Sequence, residues 1–455
     1  MAPTTRYSVA SMTARVAMRM PLLDVAFQLM DSARSPQDFS LILHFRHAPV
    51  LDGLYVGARS AMNRFPISAS CIDGQSWVWR ENKYFELKVV STGSDSESRS
   101  AIETFVDEPF DLRHQPPVRQ TLLDGPNGAT LVTRFHHSAA DGLSSALWLG
   151  HQLNVAYGIE AVENERTPFV DLPLRSNPLS VRRSEFAFDR ASDPLWTSNR
   201  KRSGARRWLT IGFPATELQR ACRRAGGFTY NDLLATCTLE VLSRWNSRHS
   251  GNNCRGGPPW PPVSGSTPDS KDRAATEGRP YNKAQIGLWM PVNIRRESTV
   301  GFGNGTSRIR LYARYKDDAS LLEKCREIRH QVSWTSEHGE WVVPEIPWFT
   351  RIPRPIVRPL LRGYLNLSSV DMGTGVFSHA GSWIAQAGEA FKHVDRIECV
   401  GLLHSRQSLA VNGATHGGQT WLSFTYDPQS LSTDEVQQLG QMYEQQIALA
   451  RDKLL

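Results

Sequence analysis

Ala129-Thr-Leu-Val-Thr-Arg-Phe-His-His-Ser-Ala-Ala-Asp-Gly142 is the stretch on which the reading of the chain turns. It reads as an apolar strand that runs into two histidines and then into a tight turn closed by Asp141-Gly142. Leu143 to Leu153 follows with apolar residues at Leu143, Ala146, Leu147 and Leu153, a helical spacing, and Asp141 stands where the N-cap of that helix would stand. Side chains alternate along a strand, so Leu131, Thr133, Phe135 and His137 share one face while Val132, Arg134 and His136 share the other. The two histidines therefore cannot both look into one cavity. One is a candidate base and the other a candidate strut, and alternation alone does not choose between them.

The chain around this stretch is long. Its 455 residues exceed the size at which a single core stops growing, so two domains or subdomains are expected. An apolar content of 40% with 21% charged residues is ordinary for a globular protein, and no apolar run approaches the ~18 residues of a membrane span. Six scattered cysteines, with no C-x-x-C pair, argue against a zinc site or a disulfide framework and fit a reducing, cytoplasmic setting. Met1 to Met20 lacks the continuous apolar core of a signal peptide. Its arginines and hydroxyl residues admit an organelle transit peptide, although a frayed, untargeted terminus is the simpler reading. The net charge of +7 suits an anionic partner such as coenzyme A, a carrier protein or an acidic membrane, and no nucleic-acid motif accompanies it.

Helical spacing predicts helices at Leu22 to Met30, Leu51 to Phe65, Ala215 to Arg224, Asn231 to Arg248, Ala319 to Thr335 and Asp434 to Leu454. Strands are expected at Phe39 to Phe45, Trp77 to Arg80, Phe85 to Val90, Ile286 to Val292, Ser307 to Ala313, Cys399 to His404, Gln407 to Asn412 and Thr420 to Tyr426. Ser91 to Ser100 reads as a Ser-rich break before a helix that begins at Ala101. Proline-rich Glu160 to Trp208, with the basic run Arg200 to Arg207, reads as a crossover linker whose charges face solvent or touch a phosphate-bearing ligand. Gly251 to Pro280 has the composition of a disordered surface insertion. Arg351, Arg354, Arg358 and Arg362 alternate with apolar residues and suit an anionic membrane surface, but the intervening prolines argue against a regular amphipathic helix there. Alternating strands and helices in both halves imply α/β or α+β layering.

His136-His-Ser-Ala-Ala-Asp-Gly142 matches the pattern H-H-x-x-x-D-G, and its surroundings sharpen the match. Pro109-Phe-Asp-Leu and Pro117-Val-Arg119 ahead of the strand, with Leu51-Asp and Arg64-Phe-Pro66, resemble condensation domains. Gly226 to Ala235, Pro291-Val-Asn-Ile-Arg295 and Gly303-Asn304 are similar to wax ester synthases. In order from about Pro21 onward, the chain thus resembles the coenzyme A-dependent acyltransferase superfamily, which also holds polyketide-associated acyltransferases and chloramphenicol acetyltransferase. The resemblance implies an α/β (α+β) fold of two chloramphenicol-acetyltransferase-like subdomains, each a mixed sheet with flanking helices, set as a V around a central tunnel. It divides the chain into a flexible N-terminus (1–20), a first subdomain (21–180), a linker (181–208) and a second subdomain (209–455) carrying the 251–280 insertion. The sequence departs from the pattern at Ser378-His-Ala-Gly381, where many relatives carry Ser-Asn-x-Gly, and at Asp371-Met-Gly-Thr-Gly375, which matches the D-F-G-W-G of plant relatives only loosely.

Acyl transfer from a thioester needs a base for the incoming nucleophile and support for the oxyanion. A histidine with an unperturbed pKa of ~6.5 is substantially neutral at working pH and can take that proton. The resemblance assigns the role to His137, leaving His136, Asp141 and Gly142 as supports, and it pairs Asp141 with Arg295 across the two halves. Gly142 leaves room for substrate or simply makes a turn, and Asn304 either contacts ligand or braces its turn. A metal held by His136, His137 and Asp141 is disfavoured because neighbouring strand histidines diverge. The expected reaction uses no bound cofactor. It moves an acyl group from acyl-coenzyme A, favoured because no carrier-protein domain is recognisable in the chain, to a small-molecule alcohol, giving an ester. The alternatives are condensation from a carrier-protein thioester, forming an amide or ester, and a non-catalytic binding protein on the same fold.

Overall fold

A computed structural model describes residues 16–45, 49–79, 85–160, 174–175, 184–189, 191–199, 201–250, 285–295, 301–316, 318–339, 343–344, 352–366, 372–381, 388–404 and 406–455. The 251–280 insertion, Cys254 and the first fifteen residues lie outside them. The first half runs β1 (Val16–Arg19), α1 (Leu22–Met30), β2 (Asp38–Phe45), α2 (Leu51–Arg64), β3 (Ser70–Asp73), β4 (Ser76–Trp79), β5 (Leu87–Ser91), α3 (Asp95–Asp107), β6 (Val118–Gly125), β7 (Gly128–His136), α4 (Gly142–Ala156) and the short β8 (Leu174–Arg175). The second half runs β9 (Arg207–Pro214), α5 (Thr216–Ala225), α6 (Tyr230–Ser250), β10 (Gly287–Asn293), β11 (Thr306–Tyr312), α7 (Leu321–Glu337), the short β12 (Val343–Pro344), α8 (Arg354–Asn366), β13 (Gly375–His379), β14 (Arg396–Val400), β15 (Leu409–His416), β16 (Gln419–Tyr426) and α9 (Thr433–Leu454).

Two mixed sheets carry the architecture. One has the order β14-β2-β7-β6-β5 and the other the order β11-β10-β13-β15-β16-β9. In the first, β5 and β6 are parallel and the remaining neighbours antiparallel; in the second, β13 runs parallel to both β10 and β15. Each sheet buries its own apolar cluster. Phe45, Leu54, Leu131, Phe135 and Trp148 belong to the first, and Leu234, Trp245, Leu288, Phe377, Phe424 and Tyr443 to the second. Helices α2 and α4 pack closely over the first sheet because Gly53 and Gly57 carry no side chain. A Cβ on Gly57 would fall 2.1 Å from the Gln152 carbonyl oxygen. The fold is therefore the α/β layering that the strand and helix spacing implied, built from the two mixed sheets with flanking helices that the resemblance implied.

Several local expectations change. Val16–Arg19 is a strand that pairs with β4, so the flexible N-terminus does not reach to residue 20. The Ser-rich segment is not a break throughout: Ser94 caps α3 by accepting from the Glu97 amide, and the helix starts at Asp95. Prolines do not prevent α8, which forms with Pro359 inside it. Arg358 and Arg362 of α8 each donate to the Asp31 carbonyl at 2.7 and 2.6 Å, so these two arginines hold the loop after α1. Trp348 to Arg351 lie outside the described residues. Among those residues, no helix is long and apolar enough to cross a membrane.

Two features tie the halves together. β14 comes from the second half of the sequence, yet it pairs antiparallel with β2 at the edge of the first sheet, Cys399 opposite Leu41. The basic run before β9 also behaves differently from a solvated linker, since Arg206 is 1% exposed. Its guanidinium donates to the Asp38 carboxylate at 2.9 Å and to the Asp38 and Val106 carbonyls at 2.6 and 2.5 Å. Arg134 of β7 shares the same carboxylate at 2.8 Å. Burial alone would raise the Asp38 pKa, but the two guanidiniums overcome it and hold the group at about 2.

Candidate functional site

Strand β7 ends at His136, paired with Asp38 of β2, and the chain turns through His137 to Ala140 before α4 starts. Asp141 caps α4 by accepting the Ser144 amide at 2.9 Å. The two histidine rings lie on opposite faces, as strand alternation requires. His136 meets Phe110 edge-on at 5.5 Å, while His137 meets Phe39 at 5.2 Å and stacks on Phe27 at 4.1 Å. His136 is buried. Its Nδ1 accepts the Ser138 amide at 3.1 Å, with the Ser138 hydroxyl 2.8 Å away, so the ring hydrogen sits on Nε2, 3.6 Å from the Asp31 carboxylate. Ser138 is thereby committed to the turn.

Asp141 is saturated. One oxygen accepts from Arg295 at 2.8 Å and from the Ser144 amide; the other accepts from the Gly305 amide at 2.7 Å and the Thr306 hydroxyl at 2.8 Å. Burial pushes its pKa upward, but Arg295 and these hydrogen bonds more than offset that, and the carboxyl stays ionised below its usual range. No lone pair is left over for chemistry. Arg295 also donates to the Ser144 hydroxyl at 2.8 Å and the Gly303 carbonyl at 2.9 Å, so one guanidinium binds α4 to the loop between β10 and β11. Gly305 makes room for it, because a Cβ there would fall 2.5 Å from the Arg295 side chain. A Cβ on Gly142 would meet nothing within 4 Å, which leaves the space in front of α4 open.

Asn304 links this frame to His137. Its amide nitrogen donates to the His137 carbonyl at 2.6 Å and to Asp24 of α1 at 2.9 Å. Two acceptors fix which end of the amide is nitrogen, so its oxygen is the atom 3.1 Å from His137 Nδ1. Nδ1 must then carry the hydrogen, and Nε2 keeps its lone pair. Burial lowers the His137 pKa, with Asp141 opposing, so the ring is neutral at pH 7. The structure thus brings His137, Asp141, Arg295 and Asn304 into one hydrogen-bonded frame and leaves His136 on the far face. Among the described residues, no group of three or more His, Cys, Asp or Glu is placed to hold a metal ion.

No family model matches the chain, and no curated protein matches it. Solved structures do. The first condensation domain of the CDA synthetase aligns over 97% of this chain and 97% of its own, with a TM-score of 0.63 at 12% identity. This chain has the condensation-domain fold. The starter condensation domain of rhizomide synthetase RzmA, a double mutant in complex with C8-CoA and Leu-SNAC, covers 96% of this chain and 95% of its own at a TM-score of 0.62 and 11% identity. The wax ester synthase/diacylglycerol acyltransferase from Marinobacter aquaeolei VT8 gives 0.55, 13% identity and coverage of 96% and 99%. In the condensation fold of this chain, His379 of the divergent Ser378-His-Ala-Gly381 bonds the Thr415 hydroxyl at 2.9 Å, and burial drives its pKa down to about 4.

The sequence reading missed Asp24, Gln37 and Ser144. Gln37 accepts the His137 amide through its carbonyl at 2.7 Å. Asp24 could have been noticed as an acid inside the apolar run Leu22-Leu-Asp-Val-Ala-Phe27, where a helix turns its core face inward. A cavity of about 400 Å³ opens elsewhere, between α3 and the β5 edge, lined by Lys88, Glu97, Thr104, Glu108 and Thr121 and by none of the His137 frame.

Proposed function

We propose that this protein is an acyltransferase that moves an acyl group from a thioester, with acyl-coenzyme A the favoured donor, to the hydroxyl of a small-molecule acceptor. The observation that carries the reading is the state of His137: neutral, fixed with hydrogen on Nδ1, and holding an unshared pair on Nε2. A base of this kind takes the acceptor's proton as its oxygen attacks the thioester carbonyl, and the protonated ring then returns the proton to the departing thiolate. No covalent enzyme intermediate is needed, and Ser138 is not available as a nucleophile because it is 0% exposed and bonded to His136. Asp141 and Arg295 act through geometry, pinning the His137 turn to the second half of the chain. Support for the choice of substrates comes from the fold, which this chain shares with a structure holding C8-CoA and with a wax ester synthase. Condensation from a carrier-bound thioester remains the second reading, because the same fold serves condensation domains.

The test is thiol release and product analysis with acyl-coenzyme A, acyl-carrier thioesters and pooled alcohols and amines. Ester formation from coenzyme A thioesters alone supports the first reading, and strict carrier dependence supports the second. His137→Ala is expected to lose at least about a hundred-fold in turnover with the fold intact by circular dichroism. Turnover near that of the unaltered protein would overturn the mechanism, and no thiol release from any thioester would favour a binding protein.

A further inference from the structure

Asp24 stands in the first turn of α1 and is 1% exposed, yet it does not cap that helix and, among the described residues, hydrogen-bonds to no cation. Its two oxygens take one hydrogen bond each, from the Asn304 amide nitrogen at 2.9 Å and from Trp77 Nε1 at 2.9 Å. Burying a carboxyl group against two neutral donors is costly, and burial pushes its pKa up to about 7. A structural role toward Trp77 alone would be served by a neutral acceptor. The other bond reaches Asn304, the residue that holds His137.

We infer that Asp24 is a positioning residue for His137: it locks the Asn304 side-chain amide in the one orientation that places hydrogen on His137 Nδ1. Both Asp24 oxygens act as acceptors, one from Trp77 Nε1 and the other toward Asn304, so the NH2 end of Asn304 faces it. A reversed amide would set its oxygen against Asp24 and, at 2.6 Å, against the His137 carbonyl. It would also turn its NH2 toward Nδ1, at 3.1 Å in the structure, and that ring would have to carry its hydrogen on Nε2. Such a histidine presents no lone pair to the acceptor. Asp24, Asn304 and His137, from α1, the β10–β11 loop and the end of β7, thus form a chain in which the first residue, together with the His137 carbonyl, sets the tautomer of the last.

The consequence for turnover rests on the reading of His137 as the base; the tautomer itself does not. In protein labelled with 15N-histidine, two-bond proton–nitrogen correlation reads the His137 tautomer, with His137→Ala supplying the assignment. Hydrogen on Nδ1 is expected in the unaltered chain, and Asp24→Asn should bring in the Nε2–H form. Its amide can accept from only one of the two donors, Trp77 or Asn304, and its own NH2 opposes the other. The kcat of D24N should fall roughly ten-fold or more while the KM for the thioester stays within about two-fold. Trp77→Phe removes the other donor to Asp24 and should leave both the tautomer and kcat close to those of the unaltered chain. An unchanged Nδ1–H ring in D24N overturns the inference whether or not the chain transfers acyl groups, and so does a W77F variant that reproduces the D24N effects. Full turnover by H137A would instead overturn the base assignment.

Discussion

Arg295→Ala removes the cation from a pair whose side chains are 4% and 1% exposed. Stripping one partner from a buried pair costs about 3 to 5 kcal/mol, chiefly because the other charge is left behind. Asp141 would keep the Ser144 and Gly305 amides and the Thr306 hydroxyl, three of its four hydrogen bonds, which places the loss near the lower end, about 3 kcal/mol. The pH dependence separates this cause from simple loss of packing. In the unaltered protein the Asp141 pKa lies below its unfolded value, so the group stabilises the fold above about pH 4 and loses that contribution as pH falls. Without Arg295, burial becomes dominant and the folded pKa rises, so the variant is relieved as the carboxyl protonates. The gap between the two proteins should be widest at pH 7 and narrow toward pH 4. Urea midpoints at several pH values measure it, and the cycle closed with Asp141→Asn and the double variant gives the coupling. A gap under about 1 kcal/mol at pH 7, or one that does not change with pH, would refute the assignment of Arg295 to Asp141.

Gly305→Ala should damage the same frame from the other side. Its Cβ would fall 2.5 Å from Arg295, so a loss of about 1 to 3 kcal/mol in urea and reduced thiol release are expected. Gly142→Ala meets nothing within 4 Å, and its stability should stay within about 0.5 kcal/mol, while KM rises if substrate occupies the space in front of α4. Asp38 is held at about 2 beside Arg134 and Arg206, so the stability gap between the unaltered chain and Asp38→Asn should be full above about pH 4 and close between pH 4 and 2; urea midpoints across that range check it.

Periodic elements were legible in the sequence because each buries one face. Leu22–Met30 forms as read, and Leu51–Arg64 and Thr433–Leu454 differ from their expected bounds by one residue. Two of the differences share a cause, since polar or proline-rich composition reads as irregular chain. Ser94, Asp95 and Glu97 are polar because they make a helix N-terminus, and Pro359 sits inside α8 without stopping it. Pairing of β14 with β2 could not be read at all, because nothing in Arg396–Val400 encodes which sheet it joins. At the site, alternation separated the two histidines, but only resemblance to a family chose His137 and joined Asp141 to Arg295. Asp24 carried a usable signal, a lone acid on a buried helical face, that pattern matching passed over.

The His137 turn is held from both ends by carboxylates that reach across the chain. At the β2–β7 end, Asp38 gathers Arg134 from β7 and Arg206 from the entry to β9. At the α4 end, Asp141 gathers Arg295 and Gly305 from the segment joining β10 and β11 and Thr306 from the start of β11. Each cluster sets a buried anion of the earlier half against a cation from later in the chain, Arg206 or Arg295, and Asp38 also keeps Arg134 of its own sheet. Among the described residues, the turn between them makes no ion pair beyond the 3.6 Å approach of His136 to Asp31, and His137 is held by neutral hydrogen bonds and aromatic stacking. Placing the charges at the hinges leaves the ring in a neutral, largely apolar setting. That is the environment in which a histidine stays unprotonated and its lone pair is available, so the long-range ion pairs and the chemistry proposed for His137 are two consequences of one arrangement.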